Sequence, residues 1–331
     1  MEKTLNVQKR LPYFDFLRGL AIIMVVGIHT FNVNTANIAS IPLRTLICCA
    51  VPLFITLSAF FVSQKEFKDG SFFKWFINQT KKIYIPMLLW SIPYLLISMH
   101  DNTYTLRYTL FLYFLGGFSI YYFITFIIQG YLFMPILKKL NIMWGIIIIN
   151  LLWITAFVYL QNIRGYSFPL LYSGTPFPMW MMFFYLGIRI AQGNRQYNIK
   201  MYLLGAIIFW GIAMFATHWY VLNYGTGYGI KPSTHIMSAF LIMFLFSRNI
   251  EQWVNSHIEG NSLYKLLCKI GKDSFGIYLT HLFIIRYVMP HFNIKDWWLL
   301  SWVVVLFLTW AFCLLIKATM PKNISKYLGV F

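Results

Sequence analysis

Runs of apolar residues long enough to cross a lipid bilayer recur along the whole chain. A membrane-spanning helix needs about 20 predominantly apolar residues. Ten runs of this kind lie at about 14–33, 44–63, 83–100, 119–137, 142–160, 177–191, 201–219, 233–248, 274–291 and 298–317. Of the 331 residues, 59% are hydrophobic and only 11% are charged, which excludes an ordinary soluble domain of this size. The sequence therefore predicts an all-α, polytopic integral membrane protein with about ten transmembrane helices.

The connections between these runs are short, and none is a Ser/Gly-rich or Pro-rich linker. Only residues 106–118 leave room for an extra short or re-entrant helix. We therefore expect the helices to form one bundle and one transmembrane domain over residues 1–331, with no appended soluble domain. The first run follows two basic residues, but Arg18 interrupts it early and no A-x-A cleavage site follows. This pattern favours a retained first span over a signal peptide.

The basic residues separate by side of the membrane. With the N-terminus inside, 21 Lys and Arg residues fall on the cytoplasmic side and 6 on the outer side. Such a bias predicts both termini in the cytoplasm and an even number of spans in the plasma membrane. The net charge of +18 lies in short segments between apolar runs, so it indicates membrane orientation and predicts no nucleic-acid partner.

The first span carries the most informative polar residues. It reads DFLRGLAIIMVVGIH from Asp15 to His29. Arg18 and His29 are eleven residues apart, which places both on one helix face and about 16 Å apart along its axis. Either Arg18 extends to the interface and His29 packs, or the pair belongs to a site, because ionisable residues inside membranes usually face a functional cavity.

A second histidine lies within a predicted span. His281 sits about seven residues into IGKDSFGIYLTHLFII, beside Tyr278 and Thr280. It is either a packing residue or a second member of a site. Asp273 or Ser274 is expected to cap the start of this span. The other histidines, at predicted span ends and in a cytoplasmic loop, are assigned no role: His100, His218, His235, His257 and His291.

The predicted cytoplasmic loop from Gln64 to Lys82 is the most basic long loop. Its residues Lys74, Lys81 and Lys82 lie near the cytoplasmic end of the first span. They either serve orientation alone or bind a phosphate-rich ligand as point charges. The four cysteines show no CxxC or CxxH spacing, so no metal is expected. No GxSxG, Ser-x-x-Lys or HExxH motif is present.

Six blocks of the chain resemble, in the same order, blocks of the membrane acyltransferase-3 family. The most specific is RGLAIIMVVGIH, which resembles the family signature of a basic residue followed eleven positions later by His. The others are PLFITLSAFFVS, KKIYIP, YYFITFIIQGYLFMPIL, FYLGIRIA and IGKDSFGIYLTHLFII. The resemblance extends over nearly the whole chain.

This resemblance implies acyl transfer across the membrane. Cytoplasmic acyl-CoA, commonly acetyl-CoA, would donate its acyl group to a hydroxyl of a glycan or glycolipid outside the cytoplasm. Arg18 and His29 match the functional pair of the family, and His281 matches a third residue. A neutral His away from water suits a general base, while Arg18, Lys74, Lys81 and Lys82 suit the phosphates of CoA. His29 acts either as the base or as an acyl carrier.

The chain departs from the family pattern at two places. The family's basic segment often has two arginines three apart, and here Gln79 and Lys82 occupy those positions. The aromatic block often begins with His-x-Trp, and here it begins with Tyr121 and Tyr122. A transporter or flippase for a lipid-linked sugar is the alternative, since intramembrane Arg and His also suit a proton relay. Against it, the sequence shows no internal repeat.

Overall fold

A computed structural model describes residues 11–31, 38–68, 70–118, 120–292, 294 and 296–330. Its described residues form helices and no strand, which confirms the predicted all-α class. The α-helices are α1 Pro12–Thr30, α2 Ile41–Leu46, α3 Ala50–Ser63, α4 Ser71–His100, α5 Leu106–Phe114, α6 Tyr122–Lys139, α7 Met143–Val158, α8 Leu170–Gly174, α9 Phe177–Gln192, α10 Ile199–Tyr224, α11 Pro232–Leu245, α12 Arg248–His257, α13 Ser262–Lys272, α14 Ser274–Phe283, α15 Trp298–Thr319 and α16 Lys322–Tyr327.

Six helical stretches of the described chain are long and apolar enough to cross a membrane. They are Pro12–Thr30, Ile38–Ser63, Ser71–His100, Met143–Ile163, Ile199–Tyr224 and Trp298–Thr319. The other four predicted spans correspond to α6, α9, α11 and α14, which are helical but shorter or less apolar. The membrane class is thus supported, whereas the count of ten spans remains a prediction.

The peripheral helices present apolar side chains outward. Phe215 of α10 is 73% exposed, and Val303 and Phe307 of α15 are each 65% exposed. A soluble protein rarely leaves continuous apolar surfaces of this kind in water, whereas lipid tails cover them at no cost. By contrast, α9 is buried over most of its length, because it packs against α3, α6 and α7 at the centre. Gly187 permits this, since a Cβ there would overlap the carbonyl oxygen of Thr56.

Hydrogen bonds gather several chain segments at one end of the bundle, which we call the basic face. Gln192 donates to the carbonyl oxygen of Lys138, and Lys138 donates to that of Lys65. Arg195 donates to Phe246 and forms an ion pair with Glu251 at 2.6 Å. We call the other end the opposite face. These contacts agree with the predicted placement of the loops on alternate sides.

Two expectations about local structure were wrong. The predicted loop 64–82 is helical from Ser71, because an aromatic and apolar stripe in FFKWFINQTKKIYIP extends α4 toward its N-terminus. The ninth predicted span begins at Ser274 as expected, and a separate helix, α13, precedes it. Asp273 separates α13 from α14, but its side chain caps neither helix. Instead it accepts from Trp310 at 2.9 Å and pairs with Lys317 of α15.

Two glycines allow α1 and α13 to pack closely against each other. A Cβ on Gly271 would overlap the carbonyl oxygen of Asp15, and one on Gly19 would overlap that of Leu267. Only glycine at both positions lets the two backbones approach this closely. From this contact onward, α1 and the segment α13–α14 run side by side in the same direction. Each carries a histidine ten residues after its glycine, His29 in α1 and His281 in α14.

The glycine contact generates the first prediction. Gly271→Ala should lower the free energy of unfolding by about 2 kcal/mol, because α1 and α13 must separate to admit the methyl group. Thermal unfolding in detergent measures this. The control is Gly211→Ala, since a Cβ at Gly211 meets no atom within 4 Å and alanine suits a helix interior. Equal stability of the two variants would contradict the close contact.

The second prediction concerns orientation, with the basic face in the cytoplasm. Single cysteines replace Glu66 on the basic face and Asn223 near the opposite face, both of which are exposed. A membrane-impermeant maleimide added to intact cells should label Asn223→Cys and leave Glu66→Cys unlabelled until the cells are lysed. The wild-type chain, with its own four cysteines, sets the background. Labelling of both variants in intact cells would refute the predicted topology.

Candidate active site

The two intramembrane histidines meet in the centre of the bundle. The ring centroids of His29 and His281 are 5.4 Å apart, with the ring planes inclined at 45°. His29 lies in the last turn of α1, and His281 lies near the end of α14. Their pairing follows from the parallel course of the two helices after the glycine contact. The structure therefore brings together the two histidines that the sequence singled out.

The two rings have different surroundings. His281 is completely buried, and its Nδ1 lies 3.0 Å from the carbonyl oxygen of Ile277. Since a carbonyl oxygen only accepts, Nδ1 carries the hydrogen and Nε2 keeps a lone pair. That Nε2 is buried and has no hydrogen-bond partner within the described part of the chain. His29 is only partly buried and lines two cavities. His29 is thus the ring that a reactant can reach.

The first cavity extends from His29 toward the basic face, and we call it the inner cavity. It encloses about 190 Å³. Arg18 lines it together with His29, so the two residues do share a cavity-facing side of α1 as their spacing predicts. Most of the remaining lining is apolar or aromatic, with hydroxyl groups from Ser58 and Ser274. The cavity suits a slender, largely apolar group that carries its charge at one end.

The second cavity lies on the other side of His29, toward the opposite face, and we call it the outer cavity. It encloses about 270 Å³ and has a more polar lining. Besides His29, its polar residues are Arg44, Cys48, Gln161, Asn162, Ser173 and Thr226, and its aromatic residues include Phe168 and Trp180. Side-chain amides, hydroxyls and an indole face are the groups that bind sugars.

Three residues line both cavities and form the wall at which the two adjoin. They are His29, Val51 and Tyr122. Tyr122 begins α6, and its ring packs against Gly174, where a Cβ would overlap the ring. Tyr122 belongs to the tyrosine pair that departs from the family's aromatic block. The sequence placed this pair at a span end but did not indicate that one of its rings lines the same two cavities as His29.

The start of α6 is also joined to α14 by two tyrosines. Tyr121 donates to the carbonyl oxygen of Leu279 at 2.7 Å, and Tyr278 donates to that of Ile120 at 2.6 Å. Both hydroxyls are buried. These reciprocal hydrogen bonds hold the turn of α14 that precedes His281 against the segment that carries Tyr122. They fix the position of His281 relative to the wall between the cavities.

Arg18 is held in place by two neighbours. Its Nη1 lies 2.8 Å from a carboxylate oxygen of Asp15, which is 1% exposed. Its guanidinium also lies over the ring of Phe61, 4.7 Å from the centroid. The sequence contains the i, i+3 spacing that allows the ion pair, but we did not predict it. These contacts point the cation into the inner cavity and offset part of the cost of burying it.

The three predicted donor-binding lysines divide into two groups. Lys81 and Lys82 line a groove at the basic face with Lys326 and Tyr327, a neighbourhood that the sequence did not indicate. The next residue of α4, Ile83, lines the inner cavity, so groove and cavity adjoin the same turn of the helix. Lys74 is exposed and does not line this groove.

A family model described as an acyltransferase domain matches residues 11–318. The chain belongs to the acyltransferase-3 family. Searches of curated proteins and of solved structures each gave no match. The matched region contains His29, His281, Arg18 and the lysines of α4, together with the six stretches long and apolar enough to cross a membrane, except for the final residue of the last stretch. The protein is therefore a multi-pass membrane acyltransferase.

Proposed function

We propose that this acyltransferase moves an acyl group, most commonly acetyl, from cytoplasmic acyl-CoA to a hydroxyl of a glycan or glycolipid outside the cytoplasm. One observation carries the proposal. His29 lines both an inner cavity that Arg18 also lines and an outer cavity rich in polar groups. A residue in this position can contact a donor from one side and an acceptor from the other.

The basic face supports CoA as the donor. Lys81, Lys82 and Lys326 line one groove there, and the phosphates of CoA are the kind of anion that such a cluster attracts. Arg18 lies deeper, at the entrance to the apolar inner cavity. A pantetheine arm has the length and low polarity to run from Arg18 to His29, about 16 Å along α1. The thioester carbonyl would then lie beside His29.

The reaction is the transfer of an acyl group from sulfur to oxygen. The acceptor hydroxyl loses its proton to a neutral ring nitrogen of His29 as its oxygen attacks the thioester carbonyl carbon. The carbon–sulfur bond then breaks, and the CoA thiolate takes up the proton. The unpartnered Nε2 of His281, in the adjacent ring, gives the proton a second position during this exchange. His29 as a transient acyl carrier is the second route to the same products.

The proposal includes the place of the enzyme in the cell. With the basic face in the cytoplasm of the plasma membrane, the outer cavity opens toward the cell envelope, where polysaccharides and lipid-linked sugars are found. O-acetylation of such a surface glycan fits the aromatic and amide lining of the outer cavity. Membership of an acyltransferase family does not favour the transporter alternative.

The third prediction is that His29 is indispensable for transfer. His29→Ala and His29→Gln in purified enzyme should each lower acyl transfer by about 10²-fold or more, since neither side chain accepts a proton. Thiol release from acetyl-CoA in the presence of membrane glycans measures this. CoA binding, followed by titration calorimetry, should remain close to that of wild type, because the phosphates contact the Arg18 end.

His281→Ala serves as the comparison and should have the milder effect, because His281 is buried and adjoins neither cavity. Near wild-type turnover by His29→Gln would refute the mechanism. Acyl transfer to protein in the absence of acceptor, lost in His29→Ala, would instead identify His29 as an acyl carrier.

The fourth prediction concerns the donor groove. The double variant Lys81→Gln/Lys82→Gln should bind CoA about tenfold or more weakly, and its binding should depend less on salt concentration. Arg18→Gln should also weaken binding. Titration calorimetry with CoA at low and moderate ionic strength measures both effects.

The control is the double variant Lys139→Gln/Lys200→Gln. It removes the same charge from exposed positions that do not line the groove. Equal losses in the two double variants would mean that the cations act only through the general field of the basic face. Unchanged affinity in both would mean that the lysines serve orientation alone.

A further inference from the structure

We propose that the outer cavity selects an acceptor that carries an anionic group, a carboxylate or a phosphate, and that Arg44 binds this group. The inference deepens the proposed function, because it assigns a chemical class to the acceptor. It starts from two cations, Arg44 and Lys231, that are buried on the opposite face. Both belong to the six basic residues that the predicted topology assigns to the outer side.

Arg44 is buried beside the outer cavity with much of its bonding capacity unused. Its side chain lines the cavity, although the residue is only 8% exposed. Its Nη1 donates to Sγ of Cys48 at 3.0 Å, and its guanidinium lies 5.4 Å from the ring centroid of Phe31. Its Nε is buried and has no hydrogen-bond partner among the described residues. A thiol is a weak acceptor and leaves the charge uncompensated.

Lys231 adds a second positive charge at the same place. It is 2% exposed, and its ammonium donates to the carbonyl oxygens of Gly227 and Gly229. These two glycines line the outer cavity. Lys231 therefore holds the loop that forms one wall, and its charge raises the electrostatic potential there. Because its hydrogens are largely engaged, Arg44 is the cation with donors left for a ligand.

No carboxylate balances these charges among the residues that the structure describes. The described ion pairs join Arg18 to Asp15, His100 to Asp101, Arg195 to Glu251 and Lys317 to Asp273. Burying a cation without a counter-charge is energetically costly. An anionic substrate would offset this cost, because it would supply the missing negative charge when it binds. A guanidinium matches a carboxylate or phosphate in geometry as well as in charge.

The rest of the lining narrows the class to an anionic sugar. Gln161, Asn162 and Ser173 supply groups that pair with hydroxyls, and Phe168 and Trp180 supply aromatic surfaces. His29 lines the same cavity, so the acylated hydroxyl and the anionic group must fit within about 270 Å³. The anion therefore belongs to the acylated sugar itself or to a group attached directly to it, as in a sugar acid or a sugar phosphate.

Cys48 provides a test that does not depend on catalysis. It is partly exposed, lines the outer cavity and contacts Arg44. Methanethiosulfonate reagents transfer a thioalkyl group to Sγ and release methanesulfinate. An anionic reagent with a sulfonate should modify Cys48 faster than a cationic one with a trimethylammonium group. Arg44→Gln should reduce this rate ratio on the order of tenfold, because the attracting charge is lost. Peptide mass spectrometry follows the modification.

Three variants make this result specific. Arg44→Lys keeps the charge and should keep a ratio above one. Arg164→Gln removes an exposed charge of the same face that does not line the cavity, and it should leave the ratio unchanged. Cys48→Ser should abolish the signal. A ratio near one in wild type, or equal effects of Arg44→Gln and Arg164→Gln, would overturn the proposal. So would a Cys48 that neither reagent modifies, since the cavity would then admit no such anion.

Protection experiments separate the two sources of the anion. Glucuronate, glucose 1-phosphate and glucose are added in turn before the anionic reagent. Slower modification with glucuronate assigns a carboxylate, and slower modification with glucose 1-phosphate assigns a phosphate. Equal protection by glucose would overturn a role for the charge. Because thiol modification is the readout, a failed acyl-transfer assay for His29 and a failed anion site give different results.

Discussion

The contact between Gly19 of α1 and Gly271 of α13 is the constraint on which the rest of the site depends. Two backbones approach there without any side chain between them, and the helices run in parallel from that point. This contact lies ten residues before each histidine, and it sets the distance between the rings of His29 and His281. Lipid supplies no hydrophobic force between helices, so this close packing is what draws the two together.

The site combines one accessible ring with one sealed ring, and the surrounding contacts maintain that difference. Tyr121 and Tyr278 join the segment before α6 to α14 through reciprocal hydrogen bonds, and Asp273 fixes the start of α14 to α15. These polar groups lie inside the bundle, where breaking any one of them leaves a buried partner unsatisfied. Rigidity at His281 is therefore supplied by several helices, while His29 remains open to both cavities.

Sequence reasoning predicted what depends on a single helix and missed what depends on neighbours. The shared face of Arg18 and His29 follows from helical periodicity alone, and so does the depth of His281. The role of Asp273 as a partner of α15, the place of Tyr122 in the lining of both cavities and the burial of Arg44 depend on which helices adjoin. Short apolar runs do not encode which helices are neighbours, so Arg44 could not be distinguished from the other basic residues of the outer side.

The wall formed by His29, Val51 and Tyr122 has a consequence for the energetics of the cell. These three side chains line both the inner and the outer cavity, so a donor in one and an acceptor in the other would meet at this wall. An acyl carbon that passes from CoA to the acceptor at this wall leaves CoA in the inner cavity, so CoA itself does not have to cross the membrane. Such a geometry would let the enzyme export a chemical group while the membrane keeps its ion gradients, without the leak that an open conduit of the same length would cause.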